Sequence, residues 1–385
     1  LMNNFDAIID VGSKNLKLGV FNKTNNSIYS SKQKIIDSLE KSLNILIRDA
    51  EKYLSSHIDN VVVLYDSPKF YTLDISIKKV FDHATSIKKV YNSLIEEALF
   101  LISQNNFKDQ VIHLLINNII TDENKTLEKI SDDIKIKSLI LEIKFICLSK
   151  ILIENISNKF KKNNLKILNL YCSSYVKTIS YKKNFSITDS LFFLDIGFER
   201  TSGFIFKNGK LELFKSIPLG GNNITKDISK VLQLDFDYSE DLKIKFNKLE
   251  NDKFFSKNDL NQTNLYSEIL EKNISGDLLK EVIEARIDEI INLVVFQKKS
   301  IKQIDPLLKT KLILIGGGAK LLLNNYNLRI KKLISEIISY NEEDDSFICQ
   351  AGLDYNMSEE SFIIKTKKKP NKYGFFEKFF NLFSK

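Results

Sequence analysis

Two short stretches carry residue types that could hold a phosphate. Asp10-Val11-Gly12-Ser13-Lys14 closes one apolar run, and Leu194-Asp195-Ile196-Gly197 closes another. A strand ending in Asp sets a carboxylate at the mouth of a sheet. The glycine lets a ligand approach the backbone, and the turn that follows offers N–H groups and a hydroxyl. Such a turn can face a phosphate while the Asp orients water on Mg²⁺. One Asp-x-Gly is also what a tight hairpin contains; two, one per half, could grip a polyphosphate from both sides. Ile315-Gly316-Gly317-Gly318-Ala319 follows a third apolar run. Its glycines either make a loose turn or let backbone lie against a flat ring such as adenine. Glu240 and Lys243, three apart on an expected helix, could hold a ribose or form a surface ion pair.

The elements that must position these residues repeat. Alternation predicts strands at 5–11, 15–21 and 27–33, a helix at 35–54 with Leu39, Leu43, Leu46, Ile47 and Ala50 on one stripe, and a strand at 61–65. The opening pattern returns at 191–196, 204–207 and 211–216, with Asn208-Gly209 as a hairpin turn. In both halves a Phe (Phe21, Phe206) ends the next strand 11 positions after the Asp. Duplication of this kind predicts a two-lobed molecule. Between the copies, helices at 87–103 and 149–160 and strands at 111–116 and 139–147 suggest a separate small α+β unit. Further helices are expected at 223–232, 239–248, 275–300 and 320–324, and a strand at 311–315.

Composition narrows the classes. The chain has 385 residues, a net charge of +8, 4 Pro and 13 Gly, which exclude collagen-like and Pro/Gly-rich disordered chains. Its three Cys and three His are too scattered for a zinc site or a disulfide framework. No apolar run reaches membrane-spanning length, and no export signal is expected. Of the +8, +6 falls in residues 365–385, which hold seven Lys and one Glu; the body is nearly neutral, against nucleic-acid binding.

Together the motifs resemble the actin/Hsp70/sugar-kinase ATPase fold, and more narrowly the bacterial cell-division FtsA family. The matching stretches are 10–13, 194–197, Gly220-Gly221-Asn222-Asn223-Ile224-Thr225-Lys226-Asp227-Ile228, 239–243, Ile283-Glu284-Ala285-Arg286-Ile287-Asp288-Glu289-Ile290, 315–319 and Gln350-Ala351-Gly352-Leu353. They cover nearly the whole chain in order. The resemblance implies an α/β, actin-like fold of two duplicated lobes with an FtsA-type inserted α+β subdomain. It divides the chain into a first lobe (1–83, 166–188, 346–365), the insertion (84–165), a second lobe (189–230, 305–345), its subdomain (231–304) and a tail (366–385).

The resemblance also implies ATP and Mg²⁺ between the lobes. Asp10, Gly12, Ser13 and Lys14 would face the phosphates from one side, Asp195, Gly197 and Thr201 from the other, with Gly220 and Gly221 beside them. Asp10 and Asp195 would hold the metal through water. Glu240 and Lys243 would take the ribose, and Gly316, Gly317 and Gly318 the adenine. Where the family has small residues, this chain has Phe198-Glu199-Arg200, with Arg200 able to offset Glu199; nucleotide binding with slow or no hydrolysis is expected. Arg286 and Glu289 match the motif of the subdomain that grips the C-terminal tail of the tubulin-like protein FtsZ.

The tail has its own chemistry. At 100° per residue Phe375, Phe376, Phe379, Phe380, Leu382 and Phe383 gather on one face, opposite one holding Lys378. That describes a helix lying in anionic headgroups, which the family uses as its anchor. Self-association would strengthen weak single tails. The expectation is a filament-forming ATP-binding protein on the cytoplasmic face of the plasma membrane, at the division site. The alternatives are a pilus-type actin-like assembly protein and a small-molecule kinase of the same fold.

Overall fold

The computed structural model describes residues 5–251, apart from 107, 123–124, 128–129 and 131–133, together with 276–295, 310–318, 321, 334–340 and 346–358. The expected terminal helix lies outside the described residues, as do most of the expected helix at 320–324 and the end of that at 275–300.

In chain order the strands are β1 (Phe5–Val11), β2 (Asn15–Asn22), β3 (Ser27–Lys34), β4 (Asn60–Tyr65), β5 (Tyr71–Ser86), β6 (Asp109–Thr121), β7 (Lys135–Ser149), β8 (Lys166–Cys172), β9 (Leu191–Ile196), β10 (Thr201–Lys207), β11 (Lys210–Ile217), β12 (Thr310–Ile315) and β13 (Ile334–Ser339). The helices are α1 (Leu39–Leu54), α2 (Ile87–Asn105), α3 (Lys150–Lys161), α4 (Ser173–Lys182), α5 (Gly221–Leu232), α6 (Phe236–Asn251), α7 (Gly276–Val295) and α8 (Phe347–Met357).

Two compact units divide the chain: Leu1–Thr72 with Leu148–Gly352, and Leu73–Cys147 with Leu353–Lys385. The first contains two five-stranded sheets, ordered β3-β2-β1-β4-β8 and β11-β10-β9-β12-β13. In each, the first three strands are antiparallel and the last two run parallel to the centre. The duplicated lobes are therefore present, strand for strand.

Burial explains which segments read clearly. Every residue of β9 is buried, including Asp195, as suits a central strand covered on both faces. In β1, Ile8 and Ile9 are both fully buried. Edge strand β3 alternates half-buried and exposed residues. The stripe read on α1 is its core face: Leu43, Leu46, Ile47 and Ala50 are buried. The helix starts at Leu39 rather than 35 because Ser38 caps it, its side chain accepting from the Lys41 N–H. At the β10–β11 turn both Asn208 (φ 50°) and Gly209 (φ 77°) are left-handed, as a two-residue hairpin of this twist requires.

The second unit has the sheet order β5-β7-β6. Its boundaries fall at Leu73 and Cys147 rather than 84 and 165. The difference at the far end is α3, whose Ile156 and Phe160 join Leu43 and Ile47 in the core of the first lobe. In this unit His113 is completely buried, its Nδ1 2.8 Å from the Tyr355 hydroxyl. Burial pushes its pKa down to about 3. The unfolded chain then takes up a proton between about pH 6.5 and 3 that the native protein refuses. Stability should be fully expressed above about pH 6.5 and fall by about 1.4 kcal/mol per unit below it. Urea unfolding from pH 7 to 5 checks this; His113→Gln should flatten the slope.

Candidate functional site

The two Asp-x-Gly turns share one backbone construction. The Gly12 N–H donates to the Asn15 carbonyl at 3.1 Å, and the Gly197 N–H to the Arg200 carbonyl at 2.8 Å. Asp10 is the penultimate residue of β1 and Asp195 of β9, each beside a parallel neighbour. Position for position, Ser13, Lys14 and Asn15 correspond to Phe198, Glu199 and Arg200.

Helix α4 touches both carboxylates. Ser173 donates to Asp10 Oδ1 at 2.6 Å, and Lys177 Nζ to Asp195 Oδ1 at 3.3 Å. The two are four residues apart and so share a helix face. A third carboxylate, Asp66, follows β4; its Oδ1 accepts from the Ser174 N–H (3.1 Å) and hydroxyl (2.8 Å). Its Oδ2 is ion-paired with the Arg200 guanidinium, whose Nη1 is also 3.8 Å from Asp195 Oδ2. Arg200 thus joins a carboxylate of the first lobe to one of the second. The side chains of Asp195 and Asp66 are 1% and 3% exposed. Glu199 is exposed, so Arg200 serves the buried acids and not Glu199.

A second polar cluster joins α5, α6 and the first turn. Glu240 Oε1 is 3.2 Å from Lys14 Nζ. Its Oε2 accepts from Lys243 at 2.6 Å and from the Thr225 hydroxyl. Lys243 also donates to the Gly221 carbonyl (3.0 Å) and Thr225 Oγ1 (2.8 Å). Burial pushes the Glu240 carboxyl up, but the hydrogen bonds from Lys243 and Thr225 and the charges of Lys243 and Lys14 more than offset it; the net pKa is below the usual range. Burial lowers that of Lys243, only partly countered by Glu240. Glu240 and Lys243 are therefore a half-buried linked pair rather than a solvated surface pair.

The remaining expected residues divide by task. The second turn caps α5: the Gly221 N–H donates to the Gly197 carbonyl (2.9 Å) and Asn222 to Phe198 (2.7 Å). Gly220 is required there, since a Cβ would meet the Gly197 carbonyl at 2.6 Å. Thr201 is buried and donates to the Leu219 carbonyl at 2.8 Å. Gly316 is left-handed (φ 85°), and a Cβ on it would sit 2.3 Å from Asp195 Oδ1. The Gly318 N–H donates to the Ile196 carbonyl at 2.9 Å. Only Gly317, of these three, has open space where a Cβ would be. The Ser13 hydroxyl accepts from the Glu199 N–H at 3.3 Å, and Lys14 Nζ stands 4.9 Å over the Phe198 ring.

Asp10 and Asp195, the residues expected to hold Mg²⁺ through water, have protein partners in this structure. Both Asp195 oxygens face side-chain cations, and Asp10 Oδ1 is held by Ser173. Lys177 and Arg200 pair with Asp195 and Asp66, Lys14 and Lys243 with Glu240, and Asp10 accepts from the Ser173 hydroxyl. A hydrated divalent ion does not fit beside Asp195, and among the described residues no cluster of three metal-ligating side chains occurs. Asp66, Ser173 and Lys177 were not anticipated. Asp66 could have been, since it stands at the end of an apolar run as Asp10 and Asp195 do. Away from this junction, Arg286 on α7 forks onto Asp227 of α5 (2.5 and 2.9 Å) and pairs with Glu289.

The family profile for cell division protein FtsA matches residues 192–321, the stretch that carries the second turn, α5, Glu240 and the triple glycine. That stretch is similar to the FtsA family. FtsA of Buchnera aphidicola subsp. Baizongia pistaciae is 30% identical over 145 residues, 37% of this chain and 34% of that protein. FtsA of Bacillus subtilis is 23% identical over 327 residues, 82% of this chain and 68% of that protein. The alignment thus spans about a third of the first FtsA relative's length and about two thirds of the second's. A solved PilM-PilN type IV pilus biogenesis complex covers 94% of this chain and 96% of its own, with 13% identity and a TM-score of 0.51. The fold around this stretch is actin-like, with its paired 3-2-1-4-5 sheets.

Proposed function

We propose that this chain is an actin-like cell-division protein of the FtsA type. It assembles on the cytoplasmic face of the plasma membrane at the division site and tethers FtsZ filaments there. The observation that carries this reading is the FtsA-like stretch within a duplicated actin-like body. The segregated Phe face of the tail supports the membrane part. Among the described residues no helix is long and apolar enough to cross a membrane.

An adenine nucleotide is the proposed ligand of the junction between lobes. Its base lies along Gly317 and its ribose meets Glu240, which Lys243 holds in place. Its phosphates face Lys14, Ser13 and the two glycine turns. Phe198-Glu199-Arg200 in the second turn supports slow or no hydrolysis of that nucleotide. Arg286 and Glu289 border the surface proposed for the FtsZ tail; Asp227 fixes the guanidinium plane for an incoming carboxylate.

Flotation of the full chain with anionic liposomes tests the tether. Wild type should float and retain an FtsZ C-terminal peptide. Phe379→Glu removes one buried ring, worth roughly 1.5–3 kcal/mol, and should reduce flotation by about tenfold or more. Equal flotation of the two proteins removes the anchor, and failure to retain the peptide removes the FtsZ reading.

A further inference from the structure

We propose that Lys177 and Arg200 stand in for a divalent cation at the junction of the two lobes, so that its anionic ligand is taken in the metal-free form. The inference rests on the nucleotide reading above for the ligand's identity, but the replacement of metal by side chains stands on geometry alone.

Two buried carboxylates, Asp66 after β4 and Asp195 near the end of β9, meet at the junction through one guanidinium. Acids brought together in this way repel unless a cation lies between them. A divalent ion is one solution; this chain uses two side chains. Lys177 reaches Asp195 from α4, and Arg200 reaches Asp66 and Asp195 from the second turn. Both are mostly buried, with side-chain exposures of 10% and 14%, so their charges are poorly screened.

The two cations come from different elements and approach Asp195 on different oxygens, Oδ1 and Oδ2. A divalent ion brought to Asp195 would be repelled by both of them. Each cation stays paired with its carboxylate, and the incoming ligand meets Lys14 on the other side. Free triphosphate, carrying two more negative charges than its magnesium complex, suits such a site better.

Two measurements on the full chain test this. In the first, ATP is titrated with excess EDTA and with excess Mg²⁺. The affinities should agree within about threefold or favour EDTA; a loss of about tenfold or more in EDTA overturns the proposal. Absence of ATP binding in both buffers sinks the nucleotide reading alone, and the second measurement then decides the cation assignment. It follows the free Mn²⁺ spin-resonance signal without nucleotide. Wild type should leave the signal unchanged. The Lys177→Gln/Arg200→Gln double variant, its fold checked by circular dichroism, should take Mn²⁺ up. Should that variant not fold, Lys177→Gln alone is used, with Mn²⁺ uptake again expected. Uptake by wild type, or none by the folded variant, overturns the proposal.

Discussion

Arg200→Ala should lower the stability of the chain by about 3–5 kcal/mol, visible as a large drop in the urea midpoint. The size follows from what is left behind. Asp66 and Asp195 are 3% and 1% exposed, and neither can recover its lost partner from water. Asp66 keeps its two hydrogen bonds from Ser174 but no longer has the guanidinium. Arg200→Lys should be intermediate, because a single ammonium cannot address both acids as a planar fork does. A change under about 0.5 kcal/mol for the alanine variant would show that the bridge is solvated and holds nothing.

Gly316→Ala should cost about 2–4 kcal/mol, read from thermal or urea unfolding, whereas Gly317→Ala should change stability by less than about 0.5 kcal/mol. The two are neighbours in one Gly-Gly-Gly run, yet their surroundings are opposite. Gly316 has a φ of 85°, and a methyl group there would run into the Asp195 carboxylate and the Ile196 carbonyl. At Gly317 nothing lies within 4 Å of the added carbon. The same pair separates folding from binding. If the base of a nucleotide lies along Gly317, its alanine variant should weaken ATP binding while unfolding at the wild-type midpoint. Equal losses of stability at both positions would contradict the asymmetry.

The sequence was most readable where one force dominated. β1 and β9 stood out because central strands are apolar throughout, and the Asn208-Gly209 turn because left-handed backbone selects those residues. The Asp-x-Gly repeat exposed the duplication. Harder to see was α4, and with it Lys177. Seven of its ten residues are buried, four of them polar (Ser173, Ser174, Lys177 and Thr178), so no apolar stripe marks it. β5 was missed because it alternates exposed and half-buried residues with only Ile77 buried. Arg200 was read as a partner for its neighbour Glu199, since proximity in sequence is all that spacing offers. Its true partners, Asp66 and Asp195, come from separate strands, and the nearer of them in sequence, Asp195, lies across a hairpin turn. Lys14 likewise spans more than two hundred positions to reach Glu240, a pairing that periodicity cannot reveal.

Matched hydrogen bonds close the turns after β1 and β9. Because the main chain follows the same path in each, three adjacent side chains account for the contrast between them: Ser13, Lys14 and Asn15 in one, Phe198, Glu199 and Arg200 in the other. Exchanging the two triplets would therefore exchange what the turns present to a ligand without rebuilding either loop.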